Sequence, residues 1–190
     1  MKKTKSLFRR WRGCRSGVAA VEFALLLPVM VALFFGLVEL SDAMTVNRKV
    51  AIAANTLSDL AAQSDYLDDS DMVDLFEGVL TIVEPSDGSG IDLRLTSVIL
   101  DDDGDPVVHW SRDDKGNTPY PAGADFTRLS DDDILSEHGS LIVVEMTYQY
   151  VPGLTSHFVD APITFRRQSI RWPRITNRVQ LCDDQGNCTT

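Results

Sequence analysis

The stretch VAAVEFALLLPVMVALFFGLV, Val18 to Val38, holds a single ionisable side chain, Glu22, in 21 residues. At about 1.5 Å of rise per residue, a helix of that length reaches about 31 Å, close to the hydrocarbon thickness of a bilayer. The flanks divide the charge. Residues 1–16 contain Lys2, Lys3, Lys5, Arg9, Arg10, Arg12 and Arg15 and no acid, a net +7. Residues 41–190 set 11 basic against 26 acidic side chains, a net −15, within a chain total of −10. A basic flank before the span and an acidic block after it predict a cytoplasmic N-terminus and an external C-terminal part. A cleaved secretory signal fits less well. Phe23 to Val38 is already 16 uncharged residues, against about 7 to 15 for a signal core, and no small-x-small cleavage site ends the run.

With 190 residues, 44% of them apolar, the chain has room for one ordinary domain beside this appendage and is too apolar for wholesale disorder. Its acidity excludes a general nucleic-acid binder, because a polyanion is repelled by most of the surface. Cys14 precedes the span and is expected to stay a reduced thiol. Cys182 and Cys188 lie on the external side, where a disulfide persists, and are expected to close a small loop. The other reading of that pair, half of a zinc site, needs two more nearby ligands.

Glu22 calls for a partner or a purpose, since an unpaired carboxylate in hydrocarbon costs several kcal/mol. It could sit at the headgroup boundary, solvated or reached by Arg15. Alternatively, a cut after Gly17 would give Val18 a new ammonium four residues away, one helical turn, where amine and carboxylate offset each other within one chain or between neighbours.

The run Arg15-Ser16-Gly17-Val18-Ala19-Ala20-Val21-Glu22-Phe23-Ala24-Leu25, followed by Leu26-Leu27-Pro28, resembles the N-terminus of the TadE-like family. These are pilin-like minor components of the Tad (tight adherence, Flp) pilus. The resemblance implies that a prepilin peptidase on the cytoplasmic membrane face cuts after Gly17, leaving Val18 as the first mature residue, Glu22 fifth and Phe23 after it. The longer TadG-like proteins carry an Asp-x-Ser-x-Ser metal motif that has no counterpart here, so the resemblance points to TadE or TadF. It further implies an inner-membrane, single-pass protein with a periplasmic C-terminal domain. Its implied partners are the prepilin peptidase, other Tad pilins and minor pilins, the inner-membrane Tad secretion machinery and membrane lipid.

The rest of the chain predicts an α+β fold. No Pro or Gly falls between Gly36 and Gly78, and Leu40, Met44, Asn47, Val50, Ala51, Ala54, Leu57 and Ala61 recur at helical spacing. The membrane helix is therefore expected to continue outward to about Gln63 as a rod of about 69 Å, bent at Pro28 where an N–H is missing. The divisions expected are a leader at 1–17, a membrane helix at 18–40, its periplasmic continuation at 41–63 and an acidic head at 64–190. After a polar break at Asp65 to Asp71, a second helix is expected to end near Val83, before the turn formers Glu84 to Gly90. Strands are expected at Ile91 to Leu100, Pro106 to Ser111, Ser140 to Val151 and Ile163 to Trp172, forming an antiparallel sheet. Asp101 to Asp105 reads as a hairpin loop and Asp113 to Asp133 as a long polar connection. No internal repeat is evident.

Candidate chemistry is sparse. Asp101, Asp103 and Asp105 alternate like the start of a calcium loop, but Pro106 and Arg112 stand where an EF-hand needs Gly and Glu, so a solvated hairpin is the expected state. Asp131 to Asp133 read as a charged loop or helix start. His109, His138 and His157 lack metalloprotease or triad spacing, and there is no Walker loop or dinucleotide fingerprint. Neither an enzyme nor a cofactor is expected. Arg166, Arg167, Arg171, Arg174 and Arg178 form a basic segment on an otherwise acidic external part. They are candidates for a head-to-tail partner contact, or for neutralising the protein's own Asp loops. Two further readings remain open. One is a signal-anchored envelope protein with a ligand- or calcium-binding outer domain, and the other a tethered hydrolase using His and Asp from separate loops.

Overall fold

A computed structural model describes residues 17–84, 90–129, 135, 139–153, 162–183 and 185–189. The basic leader with Cys14, the acids Asp131 to Asp133, His138 and His157 lie outside the described residues.

The architecture is α+β: a long N-terminal apolar helix followed by a four-stranded antiparallel sheet. Helix α1 spans Val18–Ala61 without interruption, passing through Pro28. After it come β1 (Tyr66–Leu67), α2 (Asp69–Val83), β2 (Ile91–Leu100), β3 (Pro106–Asp113), β4 (Ser140–Tyr150), β5 (Ile163–Arg171) and β6 (Gln180–Leu181). All four expected strands form, within one or two residues at their ends. Helix α2 starts earlier than the apolar stripe suggests, because Asp68 and Asp71 build a capping box. The Asp68 carboxylate accepts from the Asp71 backbone N–H at 2.8 Å, and the Asp71 carboxylate accepts from the Asp68 N–H at 3.1 Å.

The sheet order is β3-β2-β4-β5, every neighbour antiparallel. Its two faces have different fates. Leu93, Leu95, Ile142, Val144, Met146 and Tyr148 point toward α1 and α2 and join Val50, Ala53, Leu57, Phe76 and Val79 in the main core. The opposite face carries a smaller core of Val98, Val108, Leu141 and Val143, covered by Phe126 and Leu135. The expected polar connection after β3 is therefore partly a lid. Phe126 is 3% exposed and Leu135 is buried completely, because the sheet's second face at this end is apolar and needs a cover.

A β-bulge lets one strand serve both cores. Ser97 pairs with Trp110 and Val98 with Val108, so His109 is the extra residue on β3. Trp110 then reaches the main core while Val108, two positions away, turns to the other side. His109 is buried, its Nδ1 3.4 Å from the Ser97 hydroxyl.

Two features depart from the sequence expectations. The polar break contains β1, which pairs in parallel with β6, close to the Cys182–Cys188 disulfide. A five-residue turn also forms at Asp101-Asp102-Asp103-Gly104-Asp105 and Asp113-Asp114-Lys115-Gly116-Asn117, and its bonds recur among the described residues Asp183, Gln185, Gly186 and Asn187. In each, the first Asp carboxylate accepts backbone N–H groups two and four residues on. Its own backbone N–H meets the fifth carbonyl at 2.9 to 3.0 Å. The fourth position has φ of +77° to +89°, the left-handed region in which glycine carries no Cβ penalty. Asp101 is thus occupied in holding its hairpin.

Candidate functional site: the exposed helix and the arginine-rich edge

Helix α1 begins at the Gly17–Val18 bond. Gly17 is exposed, its φ of −85° is one any residue adopts, and a Cβ there would meet nothing within 4 Å. Neither crowding nor backbone conformation in the fold requires glycine at this position. Val18 and Phe23 are both exposed, and Glu22 sits one turn beyond Val18 on the helix surface. Glu22, Leu26, Met30, Leu33, Leu37, Leu40 and Met44 follow one another at intervals of three or four residues and form one outward stripe, every member exposed.

The first half of α1 is long and apolar enough to cross a membrane. Its best 18-residue window has a mean hydropathy of 2.5 and none of it is buried in protein. Large apolar side chains left without a protein partner over such a length match a lipid-facing helix.

Further along, α1 acquires protein neighbours. The buried positions are Glu39, Ala43, Val46, Val50, Ala53, Ala54, Leu57, Ser58 and Ala61. This corrects the expected seam at its start: Leu40 and Met44 face outward, 52% and 63% exposed. The inward register is set by where small residues let β4, β5 and α2 approach, and Leu40 and Met44 extend the stripe of the span instead. Glu39, which composition did not single out, is buried at the base of the head. Nearby, burial pushes the Tyr150 phenol up, and the charges of Asp42 and Glu39 add to the shift.

The arginine-rich segment does not form one patch, because a strand alternates its side chains. Arg167 donates to the Asn47 side-chain oxygen of α1 at 2.6 Å. Arg174 forms an ion pair with Asp59, and its backbone N–H donates to the Ala62 carbonyl at 2.9 Å. Between them, the Ser169 hydroxyl donates to Asn55 Oδ1 at 2.8 Å and lies 2.7 Å from the buried Ser58 hydroxyl. These contacts fasten β5 along α1. Arg171 donates to the carbonyl of Ile170, and Arg178 is exposed. Arg166 projects from the other face of the sheet, into a groove shared with Arg94, Arg128 and Gln168.

Residues 17–58 match the protein-family model described as TadE-like protein. The N-terminal region is TadE-like. That match begins at the glycine preceding α1, spans the whole exposed stripe and ends within the buried half of the helix. No curated protein and no solved structure matches the chain. The TadE-like likeness thus rests on the helix that carries Glu22, and it supports a pilin-like protein associated with the Tad pilus and held by a single membrane anchor.

Proposed function

We propose that this chain is a minor pilin-like subunit or assembly factor of the Tad pilus, made as a membrane-anchored precursor and cut after Gly17 by a prepilin peptidase. The observation that carries the proposal is the TadE-like match beginning at Gly17, a glycine the fold itself does not require, one turn and a residue ahead of a carboxylate in an exposed apolar span. On this reading residues 1–17 are the cytoplasmic leader and 18–40 lie in the inner membrane. Residues 41–63 continue the helix into the periplasm and 64–190 form the head. The chain acts by assembly and is a peptidase's substrate, with no catalysis of its own.

Glu22 then recognises the α-amine that cleavage creates at Val18, in its own chain or a neighbour, and Phe23 belongs to the recognised segment. A carboxylate facing an ammonium in a low-dielectric surround is stabilised, whereas either alone is costly there. Arg166, Arg171 and Arg178 are available for partner contacts, while Arg167 and Arg174 serve the helix–sheet contact first.

Mass spectrometry of the mature protein, produced with and without a prepilin peptidase, tests the cut. A new N-terminus at Val18 that depends on the peptidase is expected; a native protein still beginning at Met1 would refute the processing step. Glu22→Ala is expected to leave membrane insertion intact and to reduce pilus assembly, and normal piliation in that variant counts against the pairing role.

A further inference from the structure

On the face of the sheet turned away from α1, near the starts of β2 and β5, lies an open groove of about 660 Å³. Its charged side chains are Arg94, Arg128 and Arg166 against Asp92 and Glu145, an excess of one cation in a part of the chain that is otherwise strongly acidic; Arg167 also borders it, with its guanidinium turned to Asn47 of α1. The walls are held in place. The Tyr120 ring lies between two guanidinium groups, 5.9 Å from Arg94 and 5.2 Å from Arg128. Its hydroxyl donates to Glu145 at 2.7 Å and accepts from Arg94 at 3.2 Å, while Arg128 reaches the other Glu145 oxygen at 3.0 Å. Arg94 also forms an ion pair with Asp92 at 2.6 Å. Among the described residues, no carboxylate pairs with Arg166, so the carboxylates of the groove are spent on two of its three arginines.

The chain carries a complementary element. The hairpin Asp101 to Asp105 places four aspartates in one exposed tip between β2 and β3. That tip cannot serve its own groove. Arg94 and Asp102 are eight residues apart along an extended strand, about 26 Å at about 3.3 Å per residue. The groove sits at the end of the sheet where β2 and β5 begin, and the tip lies toward the opposite end.

We infer that the Arg166 groove receives the Asp101–Asp105 hairpin of a second copy of this chain, giving a head-to-tail contact between heads. The inference rests on the proposed assembly role and supplies its contact surface. Two different patches meet in such a contact, so it leaves one free groove and one free tip and extends without closing. Prearranged cations facing an acidic tip speed the encounter and set its register.

The test uses the full chain in detergent micelles, with self-association measured by sedimentation. Arg166→Glu alters the groove at an exposed side chain, and Asp102→Lys with Asp103→Lys alters the tip. Each variant alone is expected to self-associate at least about tenfold more weakly. Because each keeps the surface the other has lost, an equimolar mixture is expected to recover association. Salt near 1 M, where the screening length is about 3 Å, is expected to weaken the wild-type contact. Wild-type association in either variant, or a mixture no stronger than its parts, would overturn the inference, as would a groove that answers only to anionic lipid added to the micelles. Intact mass in the same preparations reports cleavage after Gly17, so failure of processing and failure of this contact are read separately.

Discussion

The two halves of α1 share one hydrogen-bonded geometry and differ in what surrounds them. From Val18 to Val38 the outward side chains are Leu, Phe, Val and Met, with Leu25 71% exposed. From Glu39 to Ala61 the inward side chains are mostly Ala and Val, and Val50, Ala53, Leu57 and Ala61 are completely buried. A helix that faces lipid can be broad on every side, because hydrocarbon conforms to any shape. A helix that faces a sheet must be narrow on one side, because the interior is close-packed and the partner backbone is fixed. The boundary falls at Glu39 and Ala43, where the helix stops presenting large residues all round and turns a small-residue face to the head.

The sharpest way to break this contrast is to make the same substitution in each half. Leu57→Ala leaves a cavity between α1 and the sheet and is expected to cost about 2–5 kcal/mol. Leu25→Ala touches no protein core and is expected to change head stability by less than about 0.5 kcal/mol. Denaturant unfolding of the full chain in detergent, followed by Trp110 fluorescence, measures both. Equal losses would show that the first half packs on protein after all.

This contrast also marks what could be read in advance. Strands β2 to β4 were legible because they are largely buried and rich in β-branched and aromatic residues, as in Leu141 to Tyr150, whereas β5 is mostly exposed and showed only in residues such as Ile163, Thr164, Phe165 and Ile170. The exposed apolar half of α1 was legible from composition alone. The register of its inner half was not: Leu40 and Met44 are more apolar than Ala43 and Val46, and only the approach of the sheet decides which pair turns inward. Strand β1 was hidden because two residues carry no periodicity, and its partner lies at the far end of the chain. The cover formed by Phe126 and Leu135 was hidden because single apolar residues in a polar loop show nothing until the bare face they fill is known. The Tyr120 network was hidden for a similar reason, since Arg94, Tyr120, Arg128 and Glu145 come from separate parts of the chain. The TadE-like match was legible in the residues from Arg15 to Pro28, because it rests on a short, ordered stretch of sequence.

The head depends on the far end of the chain in a way the exposed apolar half of α1 does not. The segment after β5 returns beneath α1, and β6 pairs with β1 through bonds that include the Cys182 N–H to the Leu67 carbonyl at 2.9 Å. The Cys182–Cys188 disulfide closes the terminal loop behind it. Replacing both cysteines by serine is expected to lower head stability by about 2 kcal/mol, the entropy of closing a short loop. Thermal unfolding with and without reductant gives the same comparison in the wild-type protein. Sensitivity of Glu22-dependent assembly to the disulfide, with head stability unchanged, would contradict this division of labour.

Trp110 connects the same return segment to the core. Its indole N–H donates to the Val179 carbonyl at 2.8 Å in a buried setting. Trp110→Phe keeps most of the apolar contact, removes the donor and leaves the carbonyl unsatisfied, at a cost of about 1–3 kcal/mol less whatever water recovers. Faster hydrogen exchange confined to residues 179–182 would locate the loss there. Exchange that accelerates throughout α1 would mean that the return segment holds the helix as well.

The finest comparison lies within the head, between two of the repeated acidic turns. At Asp183 the Asn187 side chain and backbone, followed by the Gln185 N–H, hold the carboxyl below its ordinary value. At Asp113 partial burial pushes the carboxyl up, but the Asn117 side chain and backbone donors outweigh it, and the net direction is again down. A carboxyl whose folded value lies below its unfolded one contributes stability that is complete above the unfolded value and is lost as pH falls through the folded value. Both turns are therefore expected to loosen only in acid, below the ordinary carboxylate range. Asn187→Ala and Asn117→Ala each remove one side-chain donor, at 2.9 Å and 3.0 Å respectively. Each is expected to raise the titration midpoint of its own aspartate and leave the other unmoved, as read by carboxyl NMR across pH 2 to about 6. Each carboxyl is expected to stay below the ordinary value, because the backbone N–H donors two and four residues on remain, with Asp113 left closer to that value because burial opposes them. Equal end points at the two sites would mean that burial contributes nothing at Asp113, and that these two turns are interchangeable pieces of local chemistry whatever surface they sit on.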